Sequence, residues 1–178
     1  MARYAALLRG INLGRSRRVG MPELRDFLTE QGYAEVSTLL QSGNVVLTSS
    51  SRPSSLSSSL SAELSSRFDM PIEVIIRSRA EIAAVVALDP LGSVASDKSR
   101  YVVAFSAEPA TDPLPPADWE PERYVVSGSE MYLWLPDGQM NSPLMKALGR
   151  IKGGPPVTVR NWNTVEKLLA LLDRCVRS

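Results

Sequence analysis

The order in which short apolar strands, hairpins and amphipathic helices recur constrains this chain more than any single residue does. Tyr4–Leu8 is an apolar run of strand length and reads as a buried strand. A glycine-punctuated basic loop follows it, Gly10-Ile-Asn-Leu-Gly14-Arg-Ser-Arg-Arg-Val-Gly20. Pro22 stands where a first helical turn tolerates proline; Met21, Leu24, Phe27 and Leu28 form a helical stripe that Gly32 closes. Val36–Leu40 and Val45–Thr48 flank Gln41-Ser-Gly-Asn44, the pattern of a hairpin with a tight glycine turn.

Residues 49–66 hold 11 serines in 18 positions, a linker's composition. Leu56, Leu60, Leu64 and Phe68, however, recur every four residues, which favours a helix with a serine-rich solvent face over a disordered linker. Ile72–Ile76 is a β-branched strand. Ser78-Arg-Ala-Glu81 is a capping box opening a helix that runs through Leu88, and Asp89–Arg100 is a loop. From Tyr101 the pattern begins again. Tyr101–Phe105 reads as a strand, and the proline-rich stretch from Pro109 to Pro121 is expected to hold one helical turn around Ala117–Trp119. Arg123–Val126 and Met131–Leu135 flank Ser127-Gly-Ser-Glu130, a second hairpin. Pro143–Leu148 is a short helix and Val157–Val159 a strand. A last helix carries Trp162, Val165, Leu169, Leu172 and Val176, with Asn163 and Glu166 as its expected capping box.

Both halves therefore run strand, connection, hairpin, helix, strand, and each hairpin turns on Ser-Gly, at 42–43 and 127–128. This order predicts an α+β protein of two tandem ferredoxin-like (βαββαβ) units in one compact body. The units span residues 1–78 and 100–178, with 79–99 as connecting helix and loop. A coincidental α+β arrangement would give the same order of elements.

Composition narrows the chemistry. The 178 residues include no histidine and one cysteine, Cys175, which removes imidazole acid–base and nucleophile machinery, His-containing metal sites, thiolate clusters and internal disulfides. No metal or cofactor is expected, and catalysis is left open. The net charge is +1, from 20 basic and 19 acidic residues, so no overall field draws in nucleic acid or membrane. Only five apolar residues stand in a row before Arg9, short of a signal peptide's core, and no run approaches the roughly 20 residues that span a bilayer. A cytoplasmic location is the expectation.

Three polar motifs carry whatever chemistry there is. Gly10-Ile-Asn-Leu-Gly14-Arg-Ser16 nearly spells a P-loop, but its arc is too short and arginine replaces lysine. A glycine-rich loop with Arg9, Arg15, Arg17 and Arg18 that opens onto a helix N-terminus still suits an anion, although a solvated loop has the same composition. Gln41-Ser42-Gly43-Asn44 fits a turn built for geometry as well as a binding edge. Arg160-Asn161-Trp162-Asn163-Thr164 fits a helix start with Asn163 capping and Trp162 in the core. Capping leaves Arg160 and Asn161 unexplained. Amide, guanidinium and indole groups together suit polar planar or anionic ligands. Asp97-Lys98 would add a catalytic charge only if the pair faced the site. RNA binding on an open sheet needs aromatic strings that are absent, at 6% aromatic residues overall.

Tyr4-Ala-Ala-Leu-Leu-Arg-Gly-Ile-Asn-Leu-Gly14, Met21 with Leu24-Arg25, Gln41-Ser-Gly-Asn-Val45, and Arg160-Asn-Trp-Asn-Thr-Val165 with Lys167-Leu168 together resemble the bacterial "domain of unknown function 1697" family. The resemblance covers nearly the whole chain and implies tandem ferredoxin-like halves, but no reaction. The family pattern places a lysine just after the serine at 142. Here Pro143 stands there and Lys146 lies a turn later, which weakens any role for that lysine.

The expected function is binding of a small polar or anionic ligand by Arg9, Asn12, Gln41, Ser42, Asn44, Arg160, Asn161, Trp162 and Asn163. In a βαββαβ unit the loop after the first strand and the following hairpin turn lie at the same end of the sheet, which places Arg9 and Asn12 beside Gln41, Ser42 and Asn44. A twofold relation between halves would bring Arg160–Thr164 to the same cleft, with Arg15–Arg18 as a lid. Hydrogen bonds among these residues would equally serve as a structural latch. A protein-interaction module without a small ligand is one alternative function, and an RNA-binding ferredoxin-like protein, which the missing aromatic strings disfavour, is the other.

Overall fold

Side-chain alternation decides how the first strand is used. In β1 (Ala2–Arg9) Tyr4, Ala6 and Leu8 point to one face and Ala5 and Leu7 to the other, and all five are buried. Such a strand needs a neighbour on each side and cover on both faces. The computed structural model describes residues 1–14, 18–111 and 114–174. Within it, β1 pairs antiparallel with β3 (Asn44–Ser49) and β4 (Glu73–Ser78), and β3 pairs with β2 (Ala34–Leu39). The strand order is β2-β3-β1-β4. Helix α1 (Met21–Glu30) joins β1 to β2, and α2 (Pro53–Phe68) joins β3 to β4. Leu24 and Leu28 of α1 and Leu56, Leu60 and Leu64 of α2 meet Tyr4, Ala6, Leu8, Val45, Leu47, Val74 and Ile76 in one core. Each fully buried leucine contributes roughly 2 kcal/mol of transfer free energy. Gly32 ends α1 as expected: at φ +91° it lets its own N–H reach Thr29 O and the Tyr33 N–H reach Leu28 O.

The serine-rich segment is helical, but its serine face is not all solvent. Ser57, Ser61 and Ser65 recur every four residues and line the outer edge of β4. The Ser57 hydroxyl donates to Val74 O (2.5 Å), the Val74 N–H donates to Ser61 Oγ (3.0 Å), and Ser65 bonds both N–H and C=O of Ile72 (2.9 and 3.1 Å). A sheet edge that would otherwise present bare donors and acceptors is thereby closed. Ser54, Ser55, Ser58, Ser59 and Ser66 are the exposed ones. The capping box of α3 (Arg79–Leu88) is formed reciprocally, Ser78 N–H to Glu81 Oε2 (2.7 Å) and Glu81 N–H to Ser78 Oγ (3.2 Å).

A second antiparallel sheet contains β5 (Tyr101–Ser106), β6 (Arg123–Ser127), β7 (Glu130–Trp134) and β8 (Val157–Asn161), in the order β6-β7-β5-β8. A 3-10 turn at Gln139–Asn141 and α4 (Pro143–Gly149) connect β7 to β8, and α5 (Trp162–Asp173) follows. The fold is thus α+β, with two four-stranded sheets and, among the described residues, five α-helices. The helical turn expected at Ala117–Trp119 is absent, and no helix lies among the described residues between β5 and β6. Five prolines at 109, 113, 115, 116 and 121 explain this, since each lacks a donor and biases the residue before it to extended backbone. On α5 the buried stripe is Trp162, Val165, Leu168 and Leu172; Leu169, expected on it, is only partly buried. Arg15, Ser16 and Arg17 of the expected lid, together with Cys175 and Val176, lie outside the described residues.

The chain divides into two compact units, Met1–Val85 with Lys167–Ser178, and Val86–Glu166. Within the first, the Arg3 guanidinium donates to the carbonyls of Leu172 (3.3 Å) and Arg174, and Arg79 pairs with Asp173. A cation on the orphan carbonyls of α5 also suits the negative end of that helix.

Candidate functional site

The loop after β1 has an unusual backbone. Gly10 (φ +87°), Asn12 (φ +53°) and Gly14 (φ +77°) are left-handed, whereas Ile11 and Leu13 between them are not. Where αR and αL residues alternate, successive N–H groups turn toward one side and make a concavity of partial positive charge, and residues 10–14 alternate in the sign of φ. Among the described residues, the backbone N–H groups of Gly10, Ile11, Leu13 and Gly14 donate to no acceptor. Glycine supplies the positive φ at two of the three positions, and asparagine, the side chain most tolerant of it, at the third.

The hairpin turn holds this loop in place. Asn12 Nδ2 donates to Gln41 O (2.7 Å) and Val19 O (3.1 Å), and Asn12 Oδ1 accepts the Val19 N–H (2.8 Å). Asn12 therefore spends both amide hydrogens on backbone. Asn44 is fully buried, and its Nδ2 donates to Leu39 O and Ser42 Oγ, both at 2.9 Å. Gly43, at φ +86°, accepts the Leu8 N–H at 2.8 Å, and a Cβ there would lie 2.6 Å from Ile11 Cδ1. The expected proximity of the two loops is what the structure shows. Asn12, Ser42 and Asn44 serve it as clamps, while the Gln41 side chain is exposed and, among the described residues, unbonded. Arg9 pairs with Glu73 across the β1–β4 ladder, and Arg18 is exposed and, among the described residues, without an ion pair.

In the second unit the residues around 160 build a helix start. Asn161 Oδ1 accepts both the N–H (3.0 Å) and the hydroxyl (2.9 Å) of Thr164, so Asn161 caps α5; the expected cap, Asn163, is exposed. Asn161-x-x-Thr164 and Asn163-x-x-Glu166 both match the capping pattern, and the continuation of β8 through Asn161 selects the first. Trp162 is buried and stacks on Tyr101, with ring centroids 4.5 Å apart and planes 9° from parallel. Arg160 is buried, its Nη1 donating to Thr158 Oγ1 (2.6 Å) and Val159 O (2.9 Å), and desolvation lowers its pKa to about 10. Lys98 bonds both carboxylate oxygens of Glu166 at 2.9 Å, and Asp97 Oδ1 accepts from Ser99; both pairs are exposed.

Two buried charges escaped sequence reasoning. Arg77 in β4 repeats Arg160: each is the penultimate residue of its strand, each is buried, and each Nη1 donates to the preceding carbonyl, Ile76 O at 3.0 Å in the first case. The Arg-Ser and Arg-Asn pairs, each followed by a capped helix, were the available signal. Glu122 is buried after the proline-rich stretch, where Oε2 accepts the Leu144 N–H (2.9 Å) and Oε1 has no partner among the described residues. Nothing in its sequence context marks it. Among the described residues no three His, Cys, Asp or Glu side chains gather as a metal site.

Sheet topology defines an α+β protein with two four-stranded antiparallel sheets. A family profile described as "Protein of unknown function (DUF1697)" matches residues 1–132, and the chain belongs to that family. The solved structure of the conserved bacterial protein SP0830 from Streptococcus pneumoniae is similar in fold. Its TM-score is 0.74 at 23% identity, and the match covers 97% of this chain and 99% of that one. No curated protein shows significant similarity to the chain.

Proposed function

We propose that the first unit binds a small anionic ligand, bearing phosphate or carboxylate, on the loop Gly10–Gly14. The observation that carries this reading is the alternating backbone of residues 10–14 with amides that donate to no acceptor among the described residues. Arg18 supplies an exposed cation on the same connection, and Gln41 an exposed side-chain amide on the turn clamped to it, neither paired among the described residues. Arg9 contributes by exchanging its half-exposed pairing with Glu73 for the ligand, since exposed ion pairs are worth little. Asn12, Ser42 and Asn44 act through shape. We also infer that each unit is ferredoxin-like, the second without its first helix. The identical strand orders and the matched Arg77 and Arg160 support that inference.

Thermal shift against inorganic phosphate, nucleotides, sugar phosphates and carboxylic acids tests the reading. A bound anion stabilises the fold by about 2.7 kcal/mol at a hundredfold excess over Kd. Arg18→Ala and Gln41→Ala should blunt that response while leaving the free protein's Tm unchanged. No saturable shift with any anion, together with capture of a protein partner through these loops, would favour an interaction module.

A further inference from the structure

We propose that the outer edge of β8 accepts an extended, acidic segment of a partner protein as a fifth strand. β4 and β8 hold the same place in the two strand orders, so their outer edges can be compared group by group. The Ala107 N–H donates to Pro156 O, which turns Pro156, Thr158 and Arg160 toward β5 and leaves Val157 and Val159 facing outward. Val157 corresponds to Val74 and Val159 to Ile76, counting back from the matched arginines. In the first unit the Val74 N–H and C=O are closed by Ser61 and Ser57 of α2. In the second, α4 is seven residues long, and among the described residues no group bonds the Val157 N–H, the Val157 C=O or the Val159 N–H. The Val159 carbonyl alone is occupied, by Arg160. Open donors and acceptors on an edge strand are what strand addition uses.

Charge selects the partner. From Gly138 to Val165, 28 residues, there is no Asp or Glu, against four cations, in a chain whose net charge is only +1. Lys146, Arg150 and Lys152 lie on α4 and the loop that feeds β8, exposed and without an ion pair among the described residues. The end of α4 accounts for Lys146 and Arg150 through the helix dipole but not for Lys152 or the missing acids. Exposed Ile151 and Val157 add apolar contact beside the cations. Lipid headgroups and nucleic-acid backbones would use the cations but not the strand's open amides; a peptide uses both.

A short peptide alternating Glu and Val, titrated into the full chain with amide exchange read by NMR, tests this. Saturable binding with slowed exchange at Val157 and Val159 is expected, as is no binding of the same peptide with Lys for Glu. Arg150→Glu with Lys152→Glu should weaken binding by roughly tenfold, as reversal of complementary charges does. Val157→Pro removes only an outward donor and should weaken binding similarly. Unchanged affinity in the charge-reversed protein, or binding without protection at Val157 and Val159, would overturn the proposal. So would binding of RNA or phosphatidylserine vesicles where the peptide fails.

Discussion

Asn12 ties two loops together with one side chain, and the consequences are measurable. Replacing it with Ala leaves the Val19 N–H and the Gln41 carbonyl short of partners and puts a β-carbon in left-handed backbone without the amide's compensation. A loss of about 1–3 kcal/mol in denaturant unfolding is expected. Asn12→Gly relieves the backbone but not the clamp, so it should fall between Ala and wild type. Gly43→Ala should be worse, because its Cβ meets Ile11 and Leu8 at 2.6 and 2.9 Å in addition to the strained φ. Tyr33 gives a pH prediction. Burial, followed by its hydrogen bond to Glu63, pushes its phenol up from 10.0 to about 12. A raised folded-state pKa contributes stability that is complete below pH 10 and lost as pH climbs toward 12. Tyr33→Phe should flatten that alkaline decline, and absorbance titration should show one fewer late-ionising phenol. At this scale the sequence picked out the polar residues of the turns and the helix start but could not tell which side chains bond their own backbone. Asn12, Asn44 and Asn161 all proved to do so.

Single elements were legible wherever apolar spacing was regular. The leucine ladder at 56, 60 and 64 identified α2 despite its serines, because burial of one stripe outweighs composition. What spacing could not show is that a second stripe, Ser57, Ser61 and Ser65, also has a target. That depends on which strand the helix lies beside. Changing these three to Ala improves helix propensity by a few tenths of a kcal/mol each but leaves the Val74 and Ile72 edge groups unpaired. Net destabilisation by about 1–3 kcal/mol is expected, measured by urea unfolding. Ser55→Ala with Ser59→Ala, on the exposed side, should stabilise slightly. If both sets behave alike, the serines do not close the edge. The segment between β5 and β6 failed as an expectation because its few helix-compatible residues stand among prolines.

For the whole molecule, the repeated order of elements led to two four-stranded antiparallel sheets, and the motifs led to the family. The second sheet keeps the strand order with no helix among the described residues between β5 and β6, so β-pairing rather than local helix propensity specifies the topology. Function was less legible, since the feature on which the proposed anion site rests is a sequence of φ signs that Gly-Ile-Asn-Leu-Gly permits without declaring. The most direct test is a phosphate titration of the nitrogen-15-labelled full chain, following the amide signals of Gly10–Gly14. Saturable shifts concentrated in those amides and Arg18, diminished in Arg18→Ala, are the expected result. Shifts scattered over surface lysines and arginines, or none at Gly10–Gly14 at any phosphate concentration, would contradict it.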